Sequence, residues 1–206
     1  MTTITQETKS TPGKNKGRTF TTRALVTISL LSALSYVLML LESPPYLGFL
    51  RLEFSDVPAI IGAFQFGPIS GLVIELIKNL IKAVTSTKTS GVGELANFII
   101  RVSYVIPAAI LYRKMKGKYK YLVSFGVATI CMAIAGFLVN YFITLPLYAA
   151  LYGGMDNVIA VASAILPVIK DKIGLILIGI TPFNLFMGAF LGLVSHYTYR
   201  LLKKYL

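Results

Sequence analysis

Thiols, imidazoles and acids are scarce in this chain, and each scarcity removes a class of function. A single cysteine, Cys131, in 206 residues rules out an intrachain disulfide and any multi-thiolate metal site. It lies among Ala128, Ile130, Met132 and Ile134, where packing is its default role. The only histidine, His196, has no nearby cysteine or carboxylate, so a histidine-based catalytic or metal centre has no foundation. No nucleophile–base pair is evident either; no catalytic residue, metal ligand or resident cofactor is assigned, and an enzyme is not expected. A G-x-x-x-x-G-K-[ST] phosphate loop is absent, so the chain does not cradle ATP in the usual way. Nor is there a paired inverted repeat with broken helices, the mark of a self-sufficient secondary transporter.

What is abundant is apolar surface. Hydrophobic residues make up 55% of the chain, charged residues only 14%, and the mean hydropathy is +0.73. That composition points to a bilayer rather than water as the solvent. The net charge of +12 comes from 20 Lys and Arg against 8 Asp and Glu. Few of these cations fall inside the apolar runs. Charge gathered at segment ends is the signature of membrane topology, not of a nucleic-acid groove.

Residues 1–20 read as a disordered basic arm carrying Lys9, Lys14, Lys16 and Arg18, with residues 21–206 forming the membrane domain. The first span, Ala24 to Leu41, has eighteen uncharged residues, roughly 27 Å of helix. Ser29 and Ala33 within it form a small-xxx-small pair of the kind that lets another helix approach closely. Glu42 to Asp56 is a loop stiffened by Pro44-Pro45; it is either a lid or a plain surface loop. The stretch from Phe54 to Lys82 is broken by Gly67-Pro68. Treating it as two helices places the arm, the Arg113–Lys120 loop and the Arg200, Lys203, Lys204 tail on one side, as the positive-inside rule requires. In the second helix Glu75, Lys78, Asn79 and Lys82 share one face. Spans follow at about Leu95–Tyr112, Tyr121–Tyr148 and Ile173–Leu202, while Val158–Ile169 is short enough to fold at the interface. The expectation is an all-α, multi-pass cell-membrane protein with six transmembrane helices and both termini cytoplasmic.

Polar residues collect in the loop halves expected to face outside: Glu42, Lys78, Glu94, Asn97, Asn140 and Asn184. An unpaired amide in hydrocarbon is costly, so each asparagine either ties helices together or meets a ligand. Their convergence, with 12 Tyr and 12 Phe in the chain, suits a planar ligand with a polar edge.

Phe54-Ser55-Asp56-Val57-Pro58-Ala59, Phe66-Gly67-Pro68, Lys78-Asn79, Gly93-Glu94-Leu95-Ala96-Asn97-Phe98 and Pro182-Phe183-Asn184 resemble, in this order, a known family. It is the riboflavin-specific S component (RibU type) of energy-coupling factor (ECF) transporters, and the resemblance runs from about Ala24 to the C-terminus. It implies a six-helix subunit that holds riboflavin, as cargo, in an outward-facing pocket. A transmembrane coupling subunit (T component) and two ATPase subunits then drive transport. It further implies that Asn140 and Asn184 contact the flavin, that Tyr46, Leu47 and Gly48 lie in the covering loop, and that Ser29 and Ala33 dock the coupling subunit. Lys78, Glu94 and Asn97 complete the expected binding set. Met187 departs from the family, which has a lysine one turn after Pro-Phe-Asn. Two alternatives stay open: an S component for another vitamin, or an ion-coupled carrier using Glu75 and Lys78 as a relay.

Overall fold

A computed structural model of the chain describes residues 21–87, 89–202 and 204, so the basic arm over 1–20 and Lys203 lie outside the described residues. The elements, in order, are α1 (Thr22–Leu40), α2 (Asp56–Phe66), α3 (Pro68–Thr85), α4 (Val92–Lys114), α5 (Lys120–Val139), a π-turn (Asn140–Thr144), α6 (Leu145–Leu151), α7 (Met155–Ser163), α8 (Lys172–Gly174), a second π-turn (Leu175–Ile180) and α9 (Thr181–Leu202). The only β-bridge among the described residues is an isolated antiparallel one between Tyr46 and Leu50.

The break between α2 and α3 has a simple backbone cause. Gly67 adopts φ +111°, a conformation that side chains rarely tolerate. Pro68, next in line, opens α3 at a position where its missing N–H costs nothing. Between Asp56 at its start and Gln65 near its end, the short helix before the break is apolar on all sides, and a helix of that kind must be enclosed. Every residue from Asp56 to Phe64 is buried. Helix α2 packs on α1, α3, α4 and α9 and so serves as the axis of the bundle.

Helix α3 is inside out relative to a helix in water. Glu75, Lys78, Asn79 and Lys82 are buried, while Leu76, Leu80 and Val84 are exposed. The polar stripe faces the bundle because only there can its charges find partners.

Among the described residues, four helical segments are long and apolar enough to cross a membrane: Thr22–Leu40, Val92–Lys114, the continuous rod Lys120–Leu151, and the rod Lys172–Leu202. The expectation of six spans counts α2 and α3 in addition to these four. The first of that pair has only 11 residues, and the second carries three charged side chains. Length sets the first apart from the four, and charge the second. The short segment after Tyr152 folds as α7, packed on α6.

Close approach of α5 and α9 depends on Gly188 and Gly192. A Cβ at the first would fall 2.7 Å from Thr129 Oγ1, and at the second 3.0 Å from Phe125 Cβ. The Tyr104 hydroxyl of α4 donates to the Gly188 carbonyl at 2.8 Å, joining a third helix to this seam. Near the basic loop the bundle is filled by rings: Phe64 stacks on Tyr112 at 4.1 Å and meets Tyr199 edge-on at 5.4 Å. Lys120 sits 4.1 Å above the Tyr112 ring, an approach in which the cation is held by the ring face.

Candidate functional site

At the end of the bundle away from the Arg113–Lys120 loop lies a cavity of about 150 Å³. Its wall is assembled from the end of α1 (Met39), the following loop (Glu42, Phe49, Leu50, Arg51, Glu53) and Lys82 of α3. The first turns of α4, the first π-turn, Tyr148, Phe183 and Asn184 complete it. Two packed regions meet there. One is the main core, which includes Ile60, Ile100, Tyr104 and Met132. The other is a cap formed by Leu47, Leu145, Tyr148, Val158, Ile169 and Ile176.

Charge is managed in two tiers. Near the mouth, Glu42 accepts Arg51 Nη1 at 3.0 Å and Lys82 Nζ at 2.7 Å, tying the loop to α3. Deeper, Glu53 accepts Asn97 Nδ2 at 2.9 Å, and Asn97 Oδ1 accepts Arg101 Nε at 2.9 Å. Arg101 also pairs with Asp56 at 3.1 Å. Asp56 in turn pairs with Lys78, whose Nζ lies 2.9 Å from both Glu75 Oε2 and Ser55 Oγ. Glu94 accepts the hydroxyls of Thr87 and Thr89 at 3.0 and 3.2 Å. The charged groups around the cavity are thus already engaged within the protein.

The cavity-lining residues that carry an unpartnered polar atom are neutral. Asn184 Nδ2 and Thr144 Oγ1 are buried with no hydrogen bond, although both residues line the cavity. Buried polar atoms rarely stay orphaned unless something else satisfies them. Asn140, one turn before Thr144, donates from Nδ2 to the Gly136 carbonyl at 2.7 Å. Asn140 opens the first π-turn and Asn184 lies one turn past the second; such local under-windings recur at functional sites in helices.

Of the residues expected from the sequence, Glu94, Asn97, Asn140 and Asn184 come together at this cavity. Lys78 does not: it is fully enclosed in the ionic cluster below, and its side chain has no exposure. Tyr46, Leu47 and Gly48 also stay off the cavity wall and instead anchor the loop. Tyr46 stacks on Phe183 at 6.1 Å, and Leu47 is fully buried in the cap with φ +52°. A Cβ on Gly48 would meet Val161. Ser29 and Ala33 are exposed on the outer face of α1, whereas Ser32 and Ser35 are buried. Sequence reasoning missed Arg51, Glu53, Arg101, Thr144, Tyr148 and Phe183 as wall residues. For Arg101 and Thr144 a signal existed, since each lies one helical turn beyond an expected asparagine.

A helical membrane protein with a cavity of amides, hydroxyls and paired charges at one end is a binding protein set in a bilayer. The chain belongs to the substrate-specific components of ECF transporters: the model of that family matches residues 23–199. It is 33% identical over 197 residues to the riboflavin transporter RibU of Staphylococcus aureus, covering 94% of this chain and 97% of that one. It is 33% identical over 189 residues to the riboflavin transporter FmnP of Bacillus subtilis, covering 89% and 94% of the two chains. A solved structure described as the S component of a bacterial ECF transporter superposes with a TM-score of 0.69 at 32% identity, covering 89% of this chain and 96% of that one. The chain is therefore a transporter component and not an enzyme.

Proposed function

We propose that this chain captures riboflavin in an outward-facing pocket and hands it to a transmembrane coupling subunit driven by two ATPase subunits. In this reading residues 21–206 form a six-helix, multi-pass domain of the cell membrane, with the basic arm over 1–20 and the C-terminus in the cytoplasm. Asn140, Asn184, Glu94 and Asn97 contact the flavin; the loop bearing Tyr46, Leu47 and Gly48 covers it. Ser29 and Ala33 present the docking face.

The observation that carries the ligand reading is Asn184, a cavity-lining residue whose Nδ2 has no protein acceptor. A flavin ring edge offers carbonyl and imine acceptors to such a donor, and Phe49, Tyr148 and Phe183 supply flat apolar surface. Neutrality fits as well, because the cations at the cavity already have carboxylate partners. Small-molecule pockets usually enclose roughly 300–1,000 Å³. The cavity here holds about 150 Å³, and we infer that a three-ring ligand widens it by displacing the loop over 41–55.

The test is the colour and titration of purified protein. Protein from riboflavin-supplemented cells is expected to be yellow, and stripped protein is expected to quench added riboflavin fluorescence at one site. Colourless protein that binds thiamine and ignores riboflavin would assign another vitamin. Uptake by this chain alone on an ion gradient would assign a secondary carrier.

A further inference from the structure

Gly136, in the last turn of α5, stands between the two asparagines of the pocket. Its carbonyl accepts Asn140 Nδ2 at 2.7 Å. On its other side the three atoms nearest to an added Cβ all belong to Asn184. That Cβ would overlap Nδ2 and lie 3.1 Å from Cγ and 3.7 Å from Oδ1. Asn140 and Asn184 are 3% and 4% exposed, so both amides are held among packed groups at the cavity wall.

The geometry points to Gly136 as a positioning residue for ligand recognition: one backbone unit orients the Asn140 amide while its missing side chain seats the Asn184 amide. This deepens the reading of both asparagines as ligand contacts and rests on it. The same α5–α9 seam contains Gly188 and Gly192, but their would-be Cβ atoms meet the side chains of Thr129 and Phe125, which are packing neighbours. At Gly136 the neighbour is the polar end of a pocket side chain. Glycine inside a helix weakens it relative to alanine. Keeping it there therefore has a local cost that only the space it leaves can offset. An alanine would push the Asn184 amide off its aim without removing it.

The experiment is a double-mutant cycle on the full chain in detergent, read by riboflavin fluorescence quenching and by thermal melting. Gly136→Ala is expected to weaken riboflavin binding about tenfold, the effect of one misdirected hydrogen bond, without lowering Tm. In an Asn184→Ala background the same substitution is expected to change Kd by less than about twofold, since the amide it displaces is gone. Equal losses in both backgrounds would make Gly136 a packing residue and overturn the proposal. So would parental affinity in Gly136→Ala. Parental affinity in Asn184→Ala would overturn both the proposal and the pocket reading beneath it. If Gly136→Ala fails to fold, the double variant should fold and bind like Asn184→Ala; a double variant that also fails to fold overturns the proposal.

Discussion

Lys78 on α3 and Asp56 at the start of α2 form an ion pair in which neither side chain has any solvent exposure. Lys78 also touches Glu75, and Asp56 also touches Arg101, so four charges from three helices neutralise one another. Such a cluster holds α2, α3 and α4 in one register beneath the pocket. Removing one member strands its partners in a low dielectric.

Lys78→Met should therefore act on stability and not on the ligand. The expected cost is about 3–5 kcal/mol, read as a large fall in Tm in detergent. The fraction that remains folded should bind riboflavin within about threefold of the parent, because Lys78 does not line the cavity. A normal Tm with abolished binding would return Lys78 to the pocket.

Asn184→Leu should separate binding from stability in the opposite sense. Its Nδ2 has no protein partner, so its loss leaves no protein group unsatisfied. Binding should weaken by about 1–3 kcal/mol, roughly tenfold or more, with Tm equal to or above that of the parent. Asn140→Leu should weaken binding to a similar degree. Leu variants that keep parental affinity would make both asparagines structural ties between helices.

Topology is tested by thiol labelling in intact cells. Cys131, the sole cysteine, is partly buried in α5 and is replaced by Ala as the background. A cysteine at Lys116 should resist an impermeant reagent, and one at Gly154 should react. Labelling of the Lys116 position from outside would reverse the orientation proposed for the whole chain.

Docking is tested at α1. Ser29 and Ala33 face away from the bundle, so Ser29→Trp or Ala33→Trp should leave riboflavin affinity unchanged. An indole blocks the backbone proximity on which small-xxx-small contacts depend. Uptake should fail, and the coupling subunit and ATPases should no longer co-purify. Transport at the parental rate in these variants would remove the docking role.

Several features are local consequences of the sequence and were legible in it. Gly67-Pro68 splits one apolar stretch into two helices because the glycine permits φ +111° and the proline has no N–H to lose. The spacing of Glu75, Lys78, Asn79 and Lys82 puts them on one helical face whatever surrounds it. Apolar runs between basic clusters fix a membrane class, since burial of apolar surface scales with composition. Glu94 and Asn97 share a face for the same periodic reason, and the structure brings that face to the cavity.

What the tertiary structure alone decided is which partner each polar group meets. The sequence treats Lys78 and Asn97 alike, as polar residues on inward faces. Only packing encloses the first against Asp56, 22 positions away, and brings the second to the cavity wall. Periodicity assumes 3.6 residues per turn, so it did not register the π-turn that Asn140 opens or the one that ends a turn before Asn184. Nor does a lone glycine in α5 announce that its missing Cβ is the space for an amide from α9. Helical spacing is set within a few bonds of each residue, whereas charge pairing and amide placement are set by contacts across the bundle.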